Sequence, residues 1–168
     1  PSARADFQAG EALVTVDQSQ TSRVANHRGA DAVVATRRGT GAVKVGAGMG
    51  TKVRRGKRPT PPRPLPPQPT WAAEEPGLFV SLGGRPTTLS GSWEKVAEAV
   101  NYRVEIATGA DGRGPVGATG VPATINRFEL RGLQPGTYYV AVSSVDADQF
   151  ESRLTDWRAV RLVETELL

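Results

Sequence analysis

The stretch LQPGTYYVAVSSV, Leu133–Val145, shows the architecture of the C-terminal half most plainly. Proline and glycine near its start are turn residues, and the run that follows them is rich in aromatic residues and valine. We therefore predict a β-strand over Thr137–Val145. Within it, the alternation with Val140 and Val142 favours Tyr138 as an inward-facing side chain.

Five further runs with the same character lie between residues 77 and 163. They are GLFVSL (Gly77–Leu82), TTLSGSW (Thr87–Trp93), AVNYRVEIA (Ala99–Ala107), RFEL (Arg127–Leu130) and WRAVRLV (Trp157–Val163). A further strand is predicted within Gly114–Val121. Leu89 and Trp93 should share one face of their strand. Several short strands separated by turn residues are typical of a β-sandwich.

Residues 77–168 also resemble a fibronectin type III domain. The likeness lies in Trp93 on the second strand, in the run Tyr102–Ile106 on the third, and in Leu133–Val142. It implies an immunoglobulin-like sandwich with a corner at which a tyrosine hydroxyl bonds back to the backbone. Family spacing from the leucine favours Tyr139 for that role, whereas alternation favours Tyr138, so both stay open. Such sandwiches serve as spacers, adhesion units and docking surfaces.

Residues 1–54 predict a second, weaker β region, a partial roll or meander of four or five strands. The runs are Ala12–Val16, Ser22–His27, Asp31–Thr36, Gly41–Val45 and Gly50–Val53, separated by glycine-containing turns. Phe7 is the only aromatic residue in residues 1–54. Because a core of fewer than about 70 residues seldom stabilises a domain unaided, we expect an incomplete domain. Upstream sequence would complete it, or it would pack on the second domain.

The segment TSRVANHRGADAVVATRRGTGAVKVGAGMGTKV, Thr21–Val53, resembles the closing strands of a FecR-type domain. The residues that match the family pattern are Val24, Gly29, Val33, Val43, Val45, Gly48, Gly50 and Val53. The resemblance covers residues 5–54. It implies a periplasmic β domain of the kind found in bacterial iron-signalling regulators and other envelope proteins.

Residues 55–76 form a basic and proline-rich joint between the two regions. Seven prolines fall within Pro59–Pro69, and proline neither donates to a ladder nor continues a helix. We predict a semi-rigid polyproline II spacer. Its RPLPPQP stretch, Arg63–Pro69, also matches the RxxPxxP pattern of docking peptides. We favour the spacer, because the domains that bind such peptides belong mainly to eukaryotic signalling, whereas the resemblances on either side are to bacterial envelope modules.

Charge is unevenly distributed along the chain. Residues 1–58 carry 11 basic and 4 acidic side chains, whereas residues 77–168 carry 9 basic and 11 acidic ones. The positive excess therefore belongs to the N-terminal part, which would be attracted to anionic polymers. The absence of cysteine excludes disulfides and thiol nucleophiles. No run of about 18 apolar residues is present, so we predict no membrane-spanning segment.

The residues that could carry chemistry do not form a catalytic or metal-binding pattern. His27 is the only histidine and is predicted to be an ordinary surface or strand-end residue. The carboxylates within Asp146–Asp156 lack the EF-hand pattern and predict a solvated hairpin loop. The glycine-rich Thr108–Gly120 lacks a phosphate-loop motif. We therefore predict no enzyme, catalytic residue, cofactor or metal.

The strongest candidate for a binding site is the basic cluster in KVRRGKR, Lys52–Arg58. Its members are Lys52, Arg54, Arg55, Lys57 and Arg58. They would contact an anionic partner through interactions that weaken with salt, or they would only solubilise a domain edge. Specific nucleic-acid binding is not expected, because interleaved aromatic residues and a recognition helix are missing.

Together these observations predict a non-catalytic bacterial envelope protein, periplasmic or on the cell surface. It would act as a scaffold, a protein-interaction module or a signal-transmitting module, with other envelope proteins or cell-wall polymer as partners. The alternative is a carbohydrate-binding or wall-binding accessory module of a larger secreted protein, with Trp71 as an exposed stacking residue. The oligomeric state stays open.

Overall fold

The computed structural model describes residues 2–37, 41–72, 77–82 and 87–165. In those ranges the regular structure consists of β-strands, with no helix, and most strand pairs are antiparallel. The all-β, sandwich-like fold predicted from the alternating runs is therefore confirmed. The chain divides into two compact units. Unit 1 comprises Pro1–Pro66 with Asp148–Ser152, and unit 2 comprises Pro67–Ala147 with Arg153–Leu168.

Unit 1 contains two antiparallel sheets. The three-stranded sheet has the order β1 (Ala3–Asp6), β4 (Ala32–Thr36), β5 (Ala42–Val45). The four-stranded sheet has the order β2 (Gly10–Val16), β3 (Ser22–Gly29), β6 (Met49–Val53), β7 (Arg63–Pro64). Valines from both sheets form one small core, in which Val24, Val34, Val45 and Val53 are fully buried.

Two strands of unit 1 lie outside the predicted runs. The strand β1 alternates alanine with charged residues, which is a weak hydrophobic signal, but Ala3 and Ala5 pack on the valine core. The strand β7 contains Pro64, and it is short and lies at an edge, where a missing N–H interrupts no ladder. It pairs Arg63 with Gly50 of β6.

Unit 2 contains a five-stranded and a two-stranded sheet. The five-stranded sheet has the order β11 (Pro115–Pro122), β10 (Ala99–Ala107), β13 (Gly136–Asp146), β14 (Arg158–Thr165), β8 (Leu78–Leu82). The two-stranded sheet pairs β12 (Arg127–Leu130) with β9 (Leu89–Ser92). The strand β8 runs parallel to β14, and the other pairs of the five-stranded sheet are antiparallel.

The core of unit 2 is built on large aromatic side chains. Trp93 and Tyr102 are fully buried and meet edge to face, with ring centroids 5.0 Å apart. Leu89 is buried in the same cluster, as the shared face with Trp93 predicts. Such contacts add about 0.5–1.5 kcal/mol beyond the burial of apolar area.

The hydroxyl of Tyr138 fixes the turn before β13. It donates a hydrogen bond of 2.8 Å to the carbonyl oxygen of Gln134, and the side chain is buried. Tyr139, one residue later, points to the other face of the strand and is half-buried. The corner tyrosine is therefore Tyr138, as alternation favours, and not Tyr139, as family spacing favours.

We predict that Tyr138→Phe lowers the free energy of unfolding by about 0.5–1.5 kcal/mol, because the carbonyl of Gln134 loses its donor. Tyr139→Phe is the matched control and should change stability by less than about 0.5 kcal/mol. Urea unfolding followed by tryptophan fluorescence measures both. Equal losses in the two variants would contradict the assignment of the corner residue.

Candidate functional site: a basic turn and a clamped carboxylate

The structure separates the five basic residues of the predicted binding cluster into two groups. Lys52 lies on β6, and its side chain is mostly buried against a carboxylate. Arg54, Arg55, Lys57 and Arg58 follow β6 and are exposed. We call the segment Arg54–Arg58 the basic turn. Four of the five predicted residues therefore share one exposed turn, and Lys52 is directed elsewhere.

Backbone geometry shapes the basic turn. The N–H of Lys57 donates to the carbonyl of Arg54 at 3.0 Å. Gly56 has a φ of 70°, which glycine adopts without the steric cost of a Cβ. The stem of Arg58 lies beside Gly41, where an added Cβ would be 3.5 Å from it. The turn thus carries its cations on a compact, backbone-bonded segment.

Lys52 binds the carboxylate of Asp148, which belongs to unit 1. Its Nζ is 2.5 Å from Oδ1, and Arg63 Nη1 is 2.6 Å from Oδ2, so each oxygen has its own cation. The hydrogen bond from Lys52, followed by its charge and by Arg63, lowers the pKa of Asp148 below its usual range. We call Lys52, Arg63 and Asp148 the carboxylate clamp.

Arg23 on β3 extends the clamp to the peptide backbone. Its Nε donates to the carbonyl oxygen of Asp148 at 2.7 Å, and its Nη1 lies 2.9 Å from Asp17 Oδ2. Asp17 therefore holds the guanidinium in place. The Ser19 hydroxyl, then Arg23, then the Thr21 backbone N–H lower the pKa of Asp17 to about 2.

Two residues after Asp148, the ring of Phe150 is buried against the same sheet. Phe150 is only 1% exposed, and the guanidinium of Arg63 lies 5.6 Å from its centroid. A Cβ on Gly50 would be 2.8 Å from both the Phe150 ring and Leu65. Gly50, a residue of the FecR-like pattern, thus leaves the space that the aromatic ring occupies.

The carboxylate loop and His27 both differ from expectation. The segment Asp148–Ser152 was predicted to be solvated, but Phe150 and Ser152 are buried and Asp148 is ion-paired. His27 was predicted to be a surface or strand-end residue, but its side chain is only 8% exposed. One ring nitrogen lies 3.0 Å from the carbonyl of Glu151, the other 3.7 Å from Glu11 Oε1. The sequence signal that could have revealed the burial of Asp148–Ser152 is Phe150, an aromatic residue in an otherwise charged loop.

The geometry supports binding of a carboxylate more directly than it supports catalysis. His27 bonds to a backbone carbonyl, and the clamp joins one carboxylate to two cations. Within residues 2–37, 41–72, 77–82 and 87–165, no group of three or more acidic or histidine side chains could hold a metal ion. No helix long and apolar enough to cross a membrane occurs in the same ranges.

Trp71, the predicted sugar-stacking residue, is packed into unit 2. Its ring meets Trp93 and Phe128 edge to face, at centroid distances of 6.4 and 6.3 Å. The guanidinium of Arg158 lies 4.9 Å from its centroid, and its indole N–H donates to the carbonyl of Asp156. Trp71 is therefore half-buried and contributes to the core and to a cation–π pair.

The predicted spacer is bonded to the body of each unit. In unit 1, Thr60 accepts hydrogen bonds from the Thr51 hydroxyl and from the backbone N–H of Lys52, and Pro59 and Pro66 are buried. In unit 2, the carbonyl of Pro67 accepts from Ser144, and Pro69 is buried. Residues 73–76, the end of the predicted joint, lie outside the described residues.

No protein-family model and no curated protein matches the chain. Among solved structures, it is similar to the extracellular domain of a hybrid two-component system from B. thetaiotaomicron, with a TM-score of 0.38 and 10% identity over 94% of this chain and 26% of that one. A second, the extracellular domain of a one-component system from the same bacterium, gives 0.37 and 13% over 94% and 25%. The chain thus spans about a quarter of these solved chains. Since both TM-scores are below 0.5, the likenesses assign neither family nor function.

The lowered pKa of Asp17 predicts an acid-dependent loss of stability. Because its folded pKa of about 2 lies below the ordinary 3.8, the ionised carboxylate stabilises unit 1 above about pH 4, and this contribution disappears as the pH falls towards 2. Asp17→Asn should be less stable than the wild type at pH 7 and should lose less stability between pH 4 and pH 2. Thermal unfolding across that range measures the effect.

Asp6→Asn is the control, because it removes a carboxylate from an exposed ion pair with Arg4 on β1. Such a pair is screened by water and salt and contributes little. A pH dependence of Asp17→Asn identical to that of Asp6→Asn would contradict the role of Asp17.

The close approach at Gly50 predicts a large effect of any side chain there. Gly50→Val should lower the free energy of unfolding by about 1–3 kcal/mol, because the new methyl groups displace Phe150 or Leu65. Gly117→Val on β11 is matched, since nothing lies within 4 Å of its added Cβ. It should be neutral within about 0.5 kcal/mol. Urea unfolding distinguishes them, and equal effects would refute the packing argument.

Proposed function

We propose that this chain is part of a non-catalytic protein of the bacterial cell envelope, located in the periplasm or on the cell surface. It acts as a scaffold or signal-transmitting module that binds other envelope proteins or wall polymer. The observation that carries the proposal is the division of the basic residues. Lys52 and Arg63 are engaged by Asp148, whereas Arg54, Arg55, Lys57 and Arg58 are exposed on one turn.

We propose the envelope location from the FecR-like pattern in unit 1. Val24, Val45 and Val53 of the pattern are core residues, and Gly48 has a φ of 76°. We likewise propose that unit 2 is a fibronectin type III-like sandwich, which the hydrogen bond of Tyr138 to Gln134 supports. The valine core and the Tyr138 hydrogen bond support the two folds. The partners are instead proposed from the exposed surface.

The exposed basic turn suits an anionic partner. Clustered cations raise the local positive potential, which increases the association rate and makes it sensitive to ionic strength. Among the described residues, β2 is an edge strand of the four-stranded sheet in the same unit, and its Val14 and Val16 are half exposed. An edge strand can accept a partner strand through backbone hydrogen bonds. The basic turn would then attract a partner that the edge could hold.

The test compares capture of envelope components by the wild type and by Arg54→Gln/Arg55→Gln/Lys57→Gln. Quantitative mass spectrometry and wall-polymer assays on captured envelope extract should show loss of the partners that the wild type enriches. The control Arg4→Gln/Arg127→Gln/Arg131→Gln also lowers the net charge from +4 by three, and it should retain them. Enrichment of only cytoplasmic proteins, or equal losses in both variants, would overturn the proposal.

A further inference from the structure

On the outer face of the four-stranded sheet, several side chains together bind a segment of the same chain. By register, Arg23 pairs with Lys52 and Ala25 with Gly50, so these four residues share the face opposite Val24 and Val53. The segment Asp148–Ser152 lies on that face. We call the surface formed by Arg23, Gly50, Lys52 and Arg63 the acceptor face.

We propose that the acceptor face is a recognition site for peptides in which an aspartate is followed two residues later by a phenylalanine. In the chain on its own, this site is filled by Asp148-Gln149-Phe150. The inference rests on the proposed role as an interaction module and names the chemistry of one class of partner.

The polar half of the site reads the aspartate at both its side chain and its backbone. Lys52 and Arg63 each bind one carboxylate oxygen, and Arg23 donates to the carbonyl of the same residue. The three cations come from β3, β6 and β7, three adjacent strands of one sheet. Charge-assisted hydrogen bonds are about twice as strong as neutral ones. An asparagine would keep the shape of the ligand but lose this attraction.

The apolar half selects the aromatic ring. Phe150 is almost completely buried between Gly50 and the guanidinium of Arg63, which stacks over the ring while its Nη1 binds Asp148. One arginine thus recognises the carboxylate and the ring together, which fixes their separation at two residues. Gln149 between them has a φ of 66°, an unfavourable region for a residue with a side chain. The contacts on either side hold that conformation.

The site and its occupant are distant in the sequence. Arg23, Gly50, Lys52 and Arg63 all lie within Pro1–Pro66, whereas the ligand begins 85 residues after Arg63. Their association therefore uses the contacts that a separate peptide would make. A segment of the same chain competes intramolecularly with a separate peptide, so a partner peptide must displace it or bind when it has left.

The experiment empties the face in the full chain and supplies the ligand separately. Asp148→Ala/Phe150→Ala removes both anchors, and a fluorescent peptide of residues 147–153, ADQFESR, is titrated by anisotropy. We expect the peptide to bind this variant saturably. Its affinity for the wild type should be lower by a factor of about ten or more, because the protein's own segment competes. Peptides carrying Asp148→Asn or Phe150→Ala should bind this variant weakly. The unchanged peptide should likewise bind weakly when Lys52→Gln is added to Asp148→Ala/Phe150→Ala.

Several results would overturn the proposal. These are no binding to the folded empty variant, equal binding to the wild type, or binding that survives both changes in the peptide. If the double variant does not fold by circular dichroism, Phe150→Ala alone is tested, and it should bind the peptide more tightly than the wild type, because its own segment has lost the aromatic contact and competes less; equal binding to the two would overturn the proposal. A wild-type dimer that dissociates on Phe150→Ala would assign the face to the segment of a second copy instead, and would also overturn the proposal.

This test is separable from the test of the proposed function. Arg54→Gln/Arg55→Gln/Lys57→Gln leaves the acceptor face intact, so it should bind the wild-type amount of peptide once Asp148→Ala/Phe150→Ala is added. Loss of envelope partners in the turn variant without any peptide binding would refute only the acceptor face. Peptide binding without envelope partners would refute only the proposed function.

Discussion

The packing of Phe150 against Gly50 is the contact on which the outer face of unit 1 depends. Gly50 carries no side chain, and the Phe150 ring lies where its Cβ would be. The inner core consists of valines, alanines and one methionine, and Phe7, the aromatic residue of the N-terminal segment, is 42% exposed. Because small aliphatic side chains bury little area each, the ring of Phe150 is a large contribution to a small unit.

The second constraint is electrostatic. Placing Phe150 on the sheet brings Asp148 beside Lys52 and Arg63, and each charge in the clamp has a partner. A partly exposed ion pair contributes little on its own, but here the same arginine also stacks on the ring. The aromatic contact and the ion pairs therefore depend on one side chain, and loss of either weakens the other. Such coupling makes their effects non-additive.

The fold was predictable where hydrophobic alternation is local. The runs at Ala99–Ala107 and Arg127–Leu130 are strands with the predicted bounds, because the first alternates through its centre, Asn101–Ile106, and the second over its whole length. The strand β7 was not predictable in this way, since its pairing depends on the edge that β6 offers. The five basic residues were identifiable from composition, but their division was not. A sequence shows that Lys52 is charged and does not show that Asp148, 96 residues later, will neutralise it.

The same distinction applies to the RPLPPQP stretch, Arg63–Pro69. Considered alone, it presents the arginine and the spaced prolines that a docking domain requires. In the folded chain, Arg63 is bound to Asp148 and stacked on Phe150, Pro64 is part of β7, and Pro66 and Pro69 are buried. A domain that read this peptide would first have to break these contacts. Arg63 therefore belongs to the acceptor face, which binds Asp148-Gln149-Phe150 of the same chain, and not to a peptide that is itself bound.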